Sequence, residues 1–295
     1  MKRTMIIVAL CITLSIALMV WGFQESDGAG AQKAQRYALL TTLDRGTVVM
    51  QLKQGAQTAA DALGVELAVY TTDEESDPDA QLVAQVTGLA GADIDGIILP
   101  PCGEEALAAI LQIVQAENMP LLCLWMEEPA ADAYVVTGYQ AQGRLLAEAV
   151  GHADAILAGN DAQSEQRVAG IRAVLGENVP HMESVEAVLG KVQASGTVLV
   201  ADPALTSLFA EQAGERYHVW GVDPGEARVA LLENGLVRGL VMEMPYVQGY
   251  EAIALLHAVR LQENGTRRLY TQSRIVIPET MYSAENVKLV FPLLQ

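Results

Sequence analysis

Residues Ala92 to Trp125 read ADIDGIILPPCGEEALAAILQIVQAENMPLLCLW, a strand, a turn, a helix and a second strand. Gly96 to Leu99 is short and wholly apolar, the pattern of a strand buried on both faces of a parallel sheet. Pro100-Pro101 ends it. Gly103-Glu104-Glu105 opens a helix with two carboxylates in the first turn, where the helix dipole favours negative charge. Leu107, Ile110, Leu111 and Val114 follow at helical spacing. Asn118-Met119-Pro120 closes the helix and Leu121 to Leu124 supply the next buried strand, so the crossover is expected to be right-handed. Ligands of such sheets bind beyond the carboxyl ends of the strands, which directs attention to residues 100–103 and 125–128.

The pattern extends towards the amino terminus. Tyr37 to Thr41 reads as a strand, residues 48–63 as a helix closed by Gly64, Val65 to Tyr70 as a second strand, and Ala80 to Ala90 as a second helix. This unbroken alternation predicts an α/β fold with a doubly wound parallel sheet. The first strand is not followed by G-x-G-x-x-G, so a dinucleotide site is not expected. Residues 24–35 read as a polar, small-residue linker.

Before the linker, Met1-Lys2-Arg3 is a basic start and Met5 to Phe23 carries no charge, which marks an export signal. Ala29-Gly30-Ala31 offers a cleavage site, yet the apolar run is also long enough to span a bilayer. Cleavage and retention as an anchor both remain open. With 36 Asp and Glu against 18 Lys and Arg, the chain is too acidic for nucleic acid or an anionic membrane surface to be its partner. Beyond the signal, Cys102 and Cys123 are either bridged or free. No C-x-x-C or His-rich spacing points to a metal, and no cofactor is expected. His152, His181, His218 and His257 are scattered, and no nucleophile elbow is present, so nothing supports an enzyme.

Gly-Ile-Ile-Leu-Pro, the helix and Met-Pro-Leu-Leu together resemble the type I periplasmic binding proteins of the ribose- and galactose-binding kind, a pattern shared with LacI-type repressors. No helix-turn-helix precedes Tyr37, which sets the repressors aside. The resemblance runs in order to about Val290: residues 134–144 are similar to the family's Y-V-G-x-D-N-x-x-x-G-R, 164–171 to S-x-x-R-x-x-G-F, 198–203 to F-A-x-N-D, 219–223 to V-V-G-F-D, and 241–249 to A-Q-x-P-x-x-x-G. It implies two Rossmann-like lobes joined by a three-stranded hinge. Residues 37–138 with 244–275 would form the amino-terminal lobe and 139–243 with 276–295 the other, after a signal or anchor and linker at 1–36.

The family's site residues carry over position by position. Arg167 and Asp223 match its ligand-binding Arg and Asp. Asp202 stands where Asn is usual, Glu243 where Gln is usual, and Trp125 and Met126 where Asp and Arg are usual. Gly46-Thr47-Val48-Val49 replaces the loop that carries the stacking aromatics, leaving Trp125 or Tyr139 to stack on a ligand, with Asp44 and Arg45 alongside. The resemblance thus implies a monomeric, extracytoplasmic receptor that closes on a sugar or related polar solute and hands it to an ABC permease. The alternative is a tethered sensor, anchored by Met5 to Phe23 and reporting to a histidine kinase or chemoreceptor. Residues 150–155 and 170–198 are short for the family, so a trimmed second lobe is expected.

Overall fold

A computed structural model describes residues 34–42, 46–73, 77–223, 225–262 and 267–291. The expected export segment, Asp44 and Arg45 lie outside the described residues. Among those described, no helix is long and apolar enough to cross a membrane.

The apolar runs become strands β1 (Arg36–Thr41), β2 (Glu66–Thr71), β3 (Gly96–Leu99), β4 (Leu121–Leu124) and β5 (Ala133–Thr137). Between them lie helices α1 (Thr47–Leu63), α2 (Pro78–Leu89) and α3 (Glu104–Ala116). The strands order as β11-β5-β4-β3-β1-β2, with β11 (Arg268–Thr271) returning late in the chain to pair beside β5. All neighbours are parallel. β3, β4 and β5 are buried along their whole length, while the edge strand β2 is largely open. Alternate residues explain this: Leu39, Ile98 and Leu122 face one core layer, and Ala38, Leu40, Ile97 and Leu121 face the other.

The chain then repeats the plan. α4 (Tyr139–Val150), β6 (Ala155–Leu157), α5 (Ala162–Leu175), β7 (His181–Met182), α6 (Val185–Lys191), β8 (Thr197–Val200), α7 (Pro203–Ala213), β9 (His218–Val222), α8 (Arg228–Glu233) and β10 (Gly239–Met242) lead to α9 (Pro245–Arg260). The second sheet orders as β12-β10-β9-β8-β6-β7, with β12 (Arg274–Val276) antiparallel to β10 and the other pairs parallel. α10 (Val287–Val290) closes the described chain. The backbone passes between the sheets at Gly138, at Glu243-Met244 and at Gln272-Ser273. The doubly wound parallel sheet expected from the alternation of strands and helices is present, and its second copy completes the two-sheet fold that the resemblance implies.

α2 begins at Pro78, earlier than the expected Ala80, and both it and α6 start at a capping side chain. Asp77 caps α2 by accepting from the Asp79 amide, with Pro78 in the first turn. Ser184 caps α6 by accepting from the Ala187 amide, so that helix starts at Val185. Cys102 and Cys123 are free thiols. Burial pushes them up to about 11 and about 12, and nearby carboxylates add to it.

Both major helix pairs meet at glycine. A Cβ on Gly55 would strike the Tyr246 carbonyl and one on Gly249 the Leu52 carbonyl, which joins α1 to α9. Gly143 and Gly170 do the same for α4 and α5, against the carbonyls of Arg167 and Gln140. Gly170→Ala is expected to lower stability by about 1–3 kcal/mol through overpacking. Gly88→Ala, with open space around it, should instead raise stability by about 0.4–1 kcal/mol. Thermal unfolding of the two variants checks this, and equal effects would contradict the close helix approach.

Candidate functional site

The doubly wound order places a switch point between β1 and β3 in one sheet and between β6 and β8 in the other, where flanking loops diverge and leave a crevice. Every candidate residue among those described follows a strand's carboxyl end or projects from the helix after it. Trp125 comes directly after β4, Asp223 after β9 and Glu243 after β10. Asp202 lies two residues beyond β8, Tyr139 opens α4 just past β5, and Arg167 sits in α5.

Arg167 is the centre of the second-sheet group. It is 1% exposed, with Nε donating to Gln142 Oε1 at 2.7 Å and Nη1 donating to the Ala201 carbonyl at 3.2 Å. Its guanidinium lies over the Tyr139 ring, 4.7 Å from the centroid, a cation–π arrangement. The Gly143 contact described above is what lets the α5 backbone at Arg167 come this close to α4. Burial lowers the Arg167 pKa from its ordinary value, and Glu243 is the largest opposing influence, ahead of Tyr139, Asp161 and Asp202. Burial likewise raises the Tyr139 phenol.

The carboxylates are held by the protein's own donors. Asp202 caps α7, with Oδ1 accepting from the Leu205 amide at 2.8 Å, and Oδ2 lies 3.5 Å from the Ser164 hydroxyl. Asp161 caps α5 in the same way through the amides of Gln163 and Ser164. Asp223 Oδ1 accepts from the Gly225 amide at 2.9 Å and meets Arg228 Nε at 3.2 Å, the arginine buried and the aspartate side chain 14% exposed. Burial pushes the Asp223 carboxyl up to about 6 against the pull of Arg228, and Glu243 adds to the rise. Glu243 Oε2 accepts from the Thr137 hydroxyl at 3.0 Å.

Trp125 enters from the first sheet. Its φ of 60° is left-handed, a conformation that costs a Trp energy and is fixed by the Trp125 amide donating to Val135 O at 2.7 Å. The indole Nε1 donates to Gln248 Oε1 at 2.8 Å. Gln248 is fully buried, and its amide nitrogen donates to the hydroxyls of Thr137 at 3.0 Å and Thr271 at 3.1 Å. A chain of bonds therefore runs from Trp125 through Gln248 and Thr137 to Glu243, which joins the first sheet to the carboxylate and guanidinium group of the second.

Trp125, Tyr139, Asp202, Asp223 and Glu243 thus lie past the carboxyl ends of their strands and Arg167 in the helix after β6, with Tyr139 and Glu243 at two of the crossings. Sequence reading missed Thr137, Gln142, Asp161, Arg228 and Gln248. A faint signal exists for two of them: Gln142 and Gln248 each precede a glycine that meets another helix, so they lie on buried faces where a polar residue needs a partner. Among the described residues, no group of three or more His, Cys, Asp and Glu is placed to hold a metal ion.

Asp223 gives a pH test. Its folded pKa of about 6 lies above the unfolded value of about 3.9. The stability it contributes is therefore full below the unfolded pKa and is lost as pH rises through about 6. The thermal midpoint of the wild type is expected to fall, relative to that of Asp223→Asn, as pH is raised across that window. Parallel curves for the two proteins would contradict a buried, raised carboxyl.

A family model described as a periplasmic binding protein domain matches residues 38–212. No curated protein matches the sequence. Among solved structures, the chain is similar to GanP, a glucose-galactose binding protein from Geobacillus stearothermophilus, at 18% identity over 85% of this chain and 100% of that one, with a TM-score of 0.67. It is similar to an ABC transporter solute binding protein from Agrobacterium vitis bound with alpha-D-tagatopyranose, at 16% identity over 87% of this chain and 99% of that one, TM-score 0.67. It is also similar to a chain of the XylFII-LytSN complex, at 13% identity over 83% of this chain and 98% of that one, TM-score 0.71. At these identities the likeness is one of fold.

Proposed function

The chain belongs to the periplasmic binding protein domain family, and from that premise we propose that it is an extracytoplasmic receptor that captures a small polar solute, a sugar first, between two lobes. Residues 37–138 with 244 to about 272 make one lobe, short of the expected 275 because β12 (Arg274–Val276) pairs with β10 of the second sheet, and 139–243 with the tail make the other. Closure about the three crossings buries the solute, which the receptor then delivers to an ABC importer. The mechanism is recognition without bond-making chemistry. Polar groups at the strand ends replace water around the solute hydroxyls, and an aromatic ring covers its apolar face.

The observation that carries this reading is the chain Trp125–Gln248–Thr137–Glu243, which links an aromatic from one sheet to the Arg167, Tyr139 and Asp223 group of the other. Arg167 supplies donors, and the carboxylates of Asp223 and Glu243 supply acceptors for sugar hydroxyls. Among the described residues, Asp223 Oδ2 takes no hydrogen bond, because Gly225 and Arg228 both address Oδ1. That oxygen is free for a ligand. The bound sugars of the structural relatives point to the same solute class.

A second reading, a tethered sensor subunit, draws on the likeness to a chain solved within a two-protein complex. It is also favoured by the second sheet's short edge, where β7 has 2 residues and α6 has 7. The cleft would then report occupancy to a partner.

Thermal unfolding of the whole chain against pentoses, hexoses, polyols, nucleosides and small amines tests both readings. A compound at about 100 times its Kd stabilises by about 2.7 kcal/mol, and at this size each kcal/mol raises the midpoint by about 2–4 °C. One sugar class is expected to raise the midpoint, and Arg167→Met is expected to abolish the rise. A folded protein that responds to none of them would contradict solute capture.

A further inference from the structure

α10 has 4 residues, so its carboxyl-terminal carbonyls must find donors outside the helix. Two consecutive ones find them on opposite sheets. Gln51 Nε2, from α1 of the first sheet, donates to the Lys288 carbonyl at 2.7 Å. Arg228 Nη1, from α8 of the second sheet, donates to the Leu289 carbonyl at 3.0 Å. Leu289 and Val290 are buried with Leu231, Leu240 and Met281 in the second-sheet core, so the tail belongs to that side. The Gln51 bond is therefore a link between the two sheets' halves. Both donors are 5% exposed. The same Arg228 guanidinium reaches the Gly225 carbonyl at 2.7 Å and Asp223 Oδ1 at 3.2 Å.

We propose that Gln51, the Lys288 and Leu289 carbonyls and Arg228 form a latch between the lobes, with Arg228 the positioning residue for Asp223. Parting of the lobes breaks the Gln51 bond and leaves the Lys288 carbonyl to water. Closing restores it and presses the tail onto the guanidinium that sets Asp223. Occupancy at Asp223 and closure at Gln51 then favour one arrangement, and linkage makes the coupling reciprocal. The positioning role rests on the receptor reading above. The latch itself does not.

Hydrogen–deuterium exchange of the whole chain, with no solute added, tests the latch. Gln51→Leu removes the donor, and Gln51→Asn keeps the amide but falls short of the carbonyl. Gln57→Leu is the control, since Gln57 bonds Asp61 within its own helix. Both Gln51 variants are expected to speed exchange several-fold in peptides covering 125–128, 223–228 and 287–291, with strands β3, β4, β8 and β9 unchanged. Exchange that matches the control, or that rises equally through those strands, overturns the latch. Carbon-13 titration of the Asp223 carboxyl tests the positioning role: its midpoint should rise in Arg228→Met and return towards the wild-type value in Arg228→Lys. An unmoved midpoint removes Arg228 from that role. If no sugar stabilises the protein yet the exchange result holds, the latch stands and the receptor reading alone falls.

Discussion

One buried amide holds the crossings in register. Gln248 carries no solvent exposure, and a polar group in that position must bond or cost the fold its desolvation. Its oxygen accepts from Trp125 and its nitrogen donates to Thr137 and Thr271. Thr137 ends β5 just before the first crossing, Glu243 sits in the second, and Thr271 ends β11 just before the third. The neighbouring Gly249 lets α9 touch the α1 backbone, so the amide is delivered to this point by helix packing. Neither the aromatic at the end of β4 nor the carboxylate at the end of β10 keeps its place if this node is lost.

A second buried glutamine serves the other sheet. Gln142 accepts from Arg167 and donates to the Ser273 hydroxyl at the third crossing. Arg167 is thereby oriented by a neutral partner and an aromatic face, and among the described residues no carboxylate is bonded to it. Its charge is balanced at longer range by Glu243, Asp161 and Asp202. A guanidinium placed this way keeps donor capacity for something else, whereas Arg228 spends its own on Gly225, Asp223 and the tail. The two arginines of the region are therefore held differently: one by an amide, a carbonyl and an aromatic face, and one against the Asp223 carboxylate.

How much of this could be read in the sequence follows from burial. β3 and β4 were legible because a strand covered on both faces must be apolar throughout, and Pro100 and Pro120 punctuate it. The positions of Asp202, Asp223 and Glu243 came from the resemblance to the family's motifs, not from the apolar pattern. Their partners were not legible. That Asp223 meets Arg228 and that Trp125 bonds Gln248 more than a hundred residues away are products of packing, which a linear pattern does not encode. The starts of α2 and α6 depended on one capping side chain each. The Gly143 and Gly170 contact was hidden because a glycine in a helix looks like a cost until the second helix is in place.

The central claim is that a polar solute sits at the strand ends between the sheets, against Trp125, Arg167, Asp223 and Glu243. The most direct measurement is a crystal structure of the whole chain grown in a mixed pool of pentoses and hexoses. The account predicts one ring of density between the two sheets, with a hydroxyl on Asp223 Oδ2 and another within reach of the Arg167 guanidinium. A sugar bound elsewhere, or a closed cleft filled by protein side chains alone, would contradict it.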